Sequence, residues 1–242
     1  KKDVVLDKKF FKIYKKFSPG PITYIVKKKS NSRIKPLACA NLKTVGIRFP
    51  KNQIARKILK KLSFPLVMPS ANKSSSISSV KPLDVSKEFN NKIKVVDGGI
   101  SAIGIESTVL NLVNNVCILR PGVITPKQIE KVLEKKVNIS SKQKTIKSPG
   151  YLKKHYSPGI PMYLNKKNCP ERYAFITFGK KYPVTRNSFN LSRKSNLNEA
   201  AKNLYKFFRS IKEKGYKKIY VAKIPNKGIG YALNDRLRRA SK

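Results

Sequence analysis

"IESTVLNLVNNVCILRPGVITPKQIEKVLEKK" (residues 105–136) holds two short apolar runs, a polar dipeptide between them and a helix signature after them. The runs Ile105–Val113 and Val116–Arg120 read as paired strands joined across Asn114 and Asn115. The next segment offers Thr125 as N-cap, Pro126 at the first helical position and Gln128 to complete a capping box. Paired strands leading into a capped amphipathic helix point to an α/β fold.

The same alternation continues in both directions. Upstream, "DKKFFKIYKKF" (7–17) places Phe10, Ile13, Tyr14 and Phe17 on one helical face behind an Asp7 cap, and "SPGP" stops it. "ITYIVKK" and "TVGIRF" (44–49) read as strands, with a helix from Lys51 to Leu62 after the second. "PLVMPSANKSSSISS" (65–79) reads as a buried strand that opens into a hydroxyl-rich loop. A helix near 82–90 and a strand "KVVDGG" (94–99) with a glycine turn follow. Downstream, residues 137–160 lack apolar period and have a linker composition. "YAFITFG", "NLNEAAKNLYKFFRSIKEKG" (196–215) and "KKIYVAKI" then form a strand–helix–strand unit with at least one parallel pair. The helix shows Leu197, Ala201, Leu204, Phe208 and Ile211 on one face, an Asn196/Glu199 capping box and a Gly215 stop. The expected division is 1–136, a linker at 137–160, and a smaller α/β domain at 161–242.

Composition narrows the function class. The chain has 242 residues and no run approaching the roughly 18 apolar residues of a membrane span. Cys39, Cys117 and Cys169 lie far apart with a single histidine, which excludes a structural zinc set and a disulfide framework, and fits a cytoplasmic setting. Net charge is +43, from 55 Lys and Arg against 12 Asp and Glu. That excess attracts polyanions. It is also what lysine-rich genome bias produces, since the lysines are spread along the whole chain rather than gathered in a block.

No Ser–His–Asp set, phosphate-binding glycine loop or paired-carboxylate motif is present. An enzyme built from this chain works by positioning and charge neutralisation, a style suited to nucleotidyl transfer onto a bound acid. The candidates are small polar and cationic residues at strand ends. Arg48 is placed to clamp a carboxylate, and Thr44 shares its strand face. Ser70, Asn72 and Ser78 lie in the opening loop, Ser107 and Thr108 in "ESTV", and Arg120 closes a strand before a Pro-Gly turn. Taken singly, each has an ordinary alternative: a surface ion pair for a lone Arg, a solvated turn for a serine loop.

"SPGPITYIVKK", "TVGIRFP", "VMPSANKSSSISS", "VDGGISAIGIESTVLNL" and "LRPGVIT" occur in the order and spacing of the YrdC-type domain of threonylcarbamoyl-AMP synthases. "SPGYLKKHYSPGIP" and "IPNKGIGYALNDRLRRASK" resemble the linker and the closing segment of the family's two-domain members. The resemblance implies a twisted, mixed, open YrdC-type sheet with flanking helices, plus a smaller Rossmann-like α/β domain joined by a long linker. It implies synthesis of threonylcarbamoyl-adenylate from L-threonine, bicarbonate and ATP, with Mg2+ on the triphosphate and pyrophosphate released. The product would feed threonylcarbamoyl modification of the adenosine beside the anticodon in tRNAs reading ANN codons. Carried onto this chain, Arg48, Ser107 and the Met68 backbone would bind threonine. Thr44, Ser70, Asn72, Ser78 and Arg120 would surround ATP, with Ser148, His155 and Tyr156 contributed by the linker.

The sequence departs from the family pattern in several places. The usual strand–helix opening with a phosphate-gripping Lys-x-Arg motif is missing ahead of Lys1, so adenylate synthesis by these 242 residues alone is expected to be impaired. Ser75 stands where glycine usually follows the PSAN serine, and Asn52 where histidine often follows "RFPK". Leu152 and Lys153 stand where relatives tend to carry Lys and Tyr. Two other readings compete. One is a non-catalytic YrdC-like binder of double-stranded RNA or tRNA. The other is a carbamoyl-transfer domain of the hydrogenase-maturation kind, whose zinc-finger cysteines and acylphosphatase domain this chain lacks.

Overall fold

The computed structural model describes residues 2–140 and 155–242. In chain order it contains α1 (Lys8–Phe17), β1 (Ile22–Lys27), a 3-10 turn at Pro36–Cys39, β2 (Thr44–Arg48), α2 (Gln53–Lys60) and α3 (Pro82–Glu88). There follow β3 (Thr108–Asn111), β4 (Cys117–Arg120), α4 (Pro126–Leu133), β5 (Asn138–Ile139), β6 (Met162–Tyr163), β7 (Ala174–Thr177) and β8 (Ser188–Asn190). The chain closes with α5 (Leu197–Glu213), β9 (Ile219–Val221) and α6 (Gly230–Ala240). It divides into two compact units, Lys1–Met68 with Glu106–Tyr151, and Pro69–Ile105 with Leu152–Lys242. Among the described residues no helix is long and apolar enough to cross a membrane.

The first unit is built on a mixed sheet ordered β2-β1-β3-β4-β5. β1 runs antiparallel to β2 and parallel to β3, β3 antiparallel to β4, and β4 parallel to β5. Phe10, Ile13, Ile22, Tyr24, Val26, Leu110, Ile118 and Ile129 share one core, which ties α1 and α4 to the sheet. Both helices start as their sequences dictate. Asp7 accepts from the Phe10 amide at 2.9 Å, and Thr125 and Gln128 cap each other's backbone amides. Asn138–Ile139, inside the stretch read as linker, adds the last strand, and Val137 is buried in the core.

The second unit carries an all-parallel sheet ordered β6-β9-β7-β8. The start of α5 differs in detail from the capping box read in the sequence. Asn196 does accept from the Asn198 and Glu199 amides. Glu199, however, accepts from the Ser192 hydroxyl at 2.6 Å, and that hydroxyl accepts from the Asn196 amide at 2.9 Å. The reciprocal bond is relayed through one serine.

Two expected strands do not form. Residues 65–68 and 94–99 join no ladder, and Val67 and Met68 are 69% and 71% exposed. Apolar β-branched runs make strands only where a neighbouring backbone is available to pair, and among the described residues these have none.

Gly104 has φ +80°, and a Cβ there would lie 2.5 Å from both the Ala201 carbonyl oxygen and the Lys202 Cα of α5. Helix α5 therefore meets bare backbone at this point, and only glycine allows it. Gly104→Ala is expected to lower unfolding free energy by about 2–4 kcal/mol, from strain and overpacking together. Urea denaturation followed by circular dichroism measures this.

Candidate functional site

The pairing of the first sheet collects polar side chains at one end. Thr23 lies opposite Arg48 in the β1–β2 ladder, and Val109 opposite Arg120 in the β3–β4 ladder. Because β1 and β3 are parallel and in register from Ile22 and Thr108, the residue just before β3, Ser107, comes level with the start of β1. The Ser107 hydroxyl is 2.8 Å from that of Thr23. Arg120 donates from Nη2 to the Ser107 hydroxyl and from Nε to the Ser107 carbonyl, both at 3.1 Å. Arg48 donates from Nε to the Gly20 carbonyl at 3.4 Å.

The floor beneath this cluster is rigid. Thr108 is fully buried, donating its hydroxyl to the Ile124 carbonyl at 2.8 Å and accepting from the Ile124 amide at 3.1 Å. Gly122 of the "RPG" turn crosses so near that a Cβ would lie 2.4 Å from the Thr108 amide nitrogen. The turn after β4 is thereby stitched to the start of β3, which fixes Arg120 relative to Ser107.

Electrostatically the cluster is one-sided. Neither Arg48 nor Arg120 forms an ion pair among the described residues. Arg48 is held below its ordinary pKa, first by removal from water and then by repulsion from Arg120. A guanidinium stays protonated under such pressure, so the two cations face each other uncompensated. An oxyanion entering here gains charge-assisted hydrogen bonds and relieves the repulsion. The buried Ser107 hydroxyl supplies a further polar contact.

The remaining candidates are distributed differently. Thr44 begins β2 opposite Lys27, at the far end of the strand from Arg48. Met68 closes the first unit's leading segment with its side chain in solvent. Ser70, Asn72 and Ser78 belong to the second unit. Asn72 is buried; its amide donates to the Lys73 carbonyl at 2.8 Å and the Ser76 carbonyl at 3.4 Å, while its Oδ1 has no hydrogen-bond partner among the described residues. Ser79 closes the loop onto the Ala71 carbonyl at 2.8 Å. Ser75 takes φ +66°, the left-handed conformation for which glycine is the usual choice. Tyr156 is fully buried, its ring 5.0 Å from the Arg236 guanidinium and 6.0 Å from the Tyr205 ring. His155 packs edge-on against Tyr156 at 4.0 Å. Ser148 lies outside the described residues.

Two residues were invisible as site elements in the sequence. Thr23 is one, recognisable only once the ladder sets it beside Ser107. Arg209, on α5, is the other. It donates to the Ile77 carbonyl at 2.9 Å and pairs at 3.3 Å with Asp84, which is buried and also accepts from the Val80 and Lys81 amides. One guanidinium thus holds both ends of the 77–84 segment, with Ser78 between them.

Known proteins resemble the chain over nearly all of its length. A family model described as "Telomere recombination", covering the Sua5, YciO and YrdC proteins, matches residues 2–122. One described as "Threonylcarbamoyl-AMP synthase, C-terminal domain" matches residues 124–242. A threonylcarbamoyl-AMP synthase of Bacillus subtilis is 31% identical over 95% of this chain and 72% of its own length. One from Pyrococcus abyssi is 32% identical over 94% of this chain and 72% of its own. The crystal structure of P. abyssi Sua5 complexed with L-threonine superposes with a TM-score of 0.85, at 27% identity, covering 98% of this chain and 75% of that one.

Breaking a buried ion pair from one side costs about 3–5 kcal/mol. Arg209→Met is therefore expected to destabilise the second unit by up to that amount, and to speed hydrogen exchange most at the Ile77–Lys81 amides. Ser75→Gly acts in the opposite sense: relief of the left-handed strain is worth about 1 kcal/mol, read as a higher urea midpoint with an unchanged m-value.

Proposed function

The chain belongs to the threonylcarbamoyl-AMP synthase family, and we propose that it condenses L-threonine, bicarbonate and ATP into threonylcarbamoyl-adenylate. The observation that carries this reading is the uncompensated Arg48–Arg120 pair beside the buried Ser107 hydroxyl. In this assignment Arg48 takes the threonine carboxylate, and Ser107 and the Met68 backbone complete the amino-acid site. The threonine amine adds to bicarbonate with loss of water. A carbamate oxygen then attacks the α-phosphorus of ATP, and the P–O bond to the departing pyrophosphate breaks.

Arg120 is assigned to the phosphates, where its charge disperses that on the leaving group. Ser70, Asn72, Ser78 and Thr44 complete the ATP assignment, with Ser148, His155 and Tyr156 from the linker. No group of three His, Cys, Asp or Glu side chains suited to a metal occurs among the described residues. In this reading Mg2+ would accompany the triphosphate, offsetting its charge. The product is an activated carbamoyl donor. The reading extends to its consumption by a transferase that modifies the adenosine beside the anticodon in tRNAs reading ANN codons, and to a cytoplasmic setting compatible with three free cysteines.

Isothermal titration with L-threonine tests the amino-acid half of the reading independently of turnover. Arg48→Ala is expected to weaken binding by about 2–3 kcal/mol, the value of a charge-assisted hydrogen-bonded pair, and Arg48→Lys by less. L-Serine should bind roughly fourfold more weakly than L-threonine, the contribution of one buried methyl. Equal affinities of wild type and Arg48→Ala would remove the carboxylate assignment.

A further inference from the structure

The second unit carries a surface that the proposed chemistry does not use. Along β6, β9 and β7 the residues Met162, Ile219, Val221, Ala174 and Ile176 are buried. The alternating positions are aromatic. Tyr163 pairs in register with Tyr220, and Tyr220 with Phe175, so the three lie side by side across three strands on one face of the sheet. The Tyr163 and Tyr220 ring centroids are 5.2 Å apart, and Tyr173, just before β7, stacks on Tyr220 at 5.9 Å with an interplanar angle of 10°. Tyr182 covers the edge of Phe175 at 5.4 Å. Tyr163 is 40% exposed, and Tyr173, Tyr182 and Tyr220 are half-buried.

Cations border these rings. Arg172 and Lys218 lie 5.0 and 5.1 Å from the Tyr173 ring, and Lys181 lies 5.1 Å from Tyr182. None of the three makes an ion pair among the described residues. Lys166, Lys167, Lys180 and Lys217 follow in the same segments, where Glu171 is the one carboxylate between residues 162 and 182.

We propose that this tyrosine face of the second sheet binds single-stranded nucleic acid, bases stacking on Tyr163 and Tyr220 while Arg172, Lys181 and Lys218 neutralise phosphates. The chemistry selects that partner. Flat π-faces on a sheet accept any base, and unpaired cations at their margin follow a polyanionic backbone. A duplex keeps its bases stacked inside and offers only phosphates, so it gains nothing from the rings. The face is independent of the Arg48–Arg120 cluster, and its occupancy requires no synthase substrate.

The general +43 charge would by itself attract any polyanion, so the test separates rings from charge. Anisotropy of fluorescein-labelled dodecauridylate is followed at several salt concentrations, with a duplex RNA of the same length as comparison. Replacing both Tyr163 and Tyr220 by Ala is expected to weaken single-strand binding about tenfold or more while leaving the slope against log salt unchanged. The doubly Phe-substituted protein keeps the rings and should bind within about twofold of wild type, which also controls for folding. Arg172→Gln with Lys218→Gln should instead flatten the slope by about two charges. Wild-type affinity in the Ala variant, equal loss in the Phe variant, or a duplex bound as tightly as the single strand would each overturn the proposal.

Discussion

Two guanidinium groups are held near each other at one end of a sheet, with no carboxylate among the described residues paired to either. Arg48 and Arg120 arrive there because β2 and β4, flanking the parallel pair β1 and β3, each run antiparallel to their neighbour in it, so both finish where β1 and β3 begin. The repulsion opposes folding, and the backbone contains it. Arg48 leans on the Gly20 carbonyl, Arg120 on the Ser107 carbonyl, and Ile124, just past the close-packed Gly122, is hydrogen-bonded to the buried Thr108 beneath. Carbonyl dipoles disperse positive charge without neutralising it. The site stays attractive to an anion because the protein has supplied dipoles where an ion pair would have filled the space.

The scarcity of acids sharpens this point. With 12 Asp and Glu in the chain, most of those whose contacts are defined serve backbone amides. Asp7 starts α1, Asp84 caps α3, Glu88 accepts from Lys73, Asp97 from Gly99 and Glu130 from Val137. Asp84 does a second job in pairing with Arg209. Against 55 Lys and Arg, these few acids leave most basic side chains without an acidic neighbour, so the positive excess dominates the protein's field.

What could be read in the sequence follows from the range of the interaction involved. The caps of α1 and α4 and the buried face of α5 depend on residues three or four positions apart, and they were legible in advance. Arg48, Ser107 and Arg120 could be picked out one by one, through motifs that resemble a known family, but their meeting at one sheet end depends on the ladders. Features set by distant partners were not. The runs at 65–68 and 94–99 have strand composition, but a ladder needs a second backbone, which composition does not reveal. Thr23 joins the cluster only through the β1–β3 register. Nothing in the polar face of α5 announces that Arg209 meets an aspartate in α3. Ser192, interposed in the α5 cap, shows the same limit at short range: the expected Glu199 bond exists, but through a different acceptor path.

Uniform positive charge also constrains how this protein can discriminate. When Coulomb attraction is spread over the whole surface, every polyanion is drawn to it, and salt screens them alike. Selectivity must then come from groups whose contribution does not scale with charge. In the first unit those are the buried Ser107 hydroxyl and the Arg48 and Arg120 guanidinium groups, an arrangement suited to a single oxyanion. In the second unit they are ring faces, which recognise unstacked bases. Both devices lie on strands or directly beside them, where regular backbone positions side chains more precisely than a loop does. A loop lysine anywhere on this chain can be exchanged for its neighbour at little cost to attraction; Ser107 or Tyr220 cannot, because one owes its place to the β1–β3 register just beside it and the other to its own rung between β6 and β7.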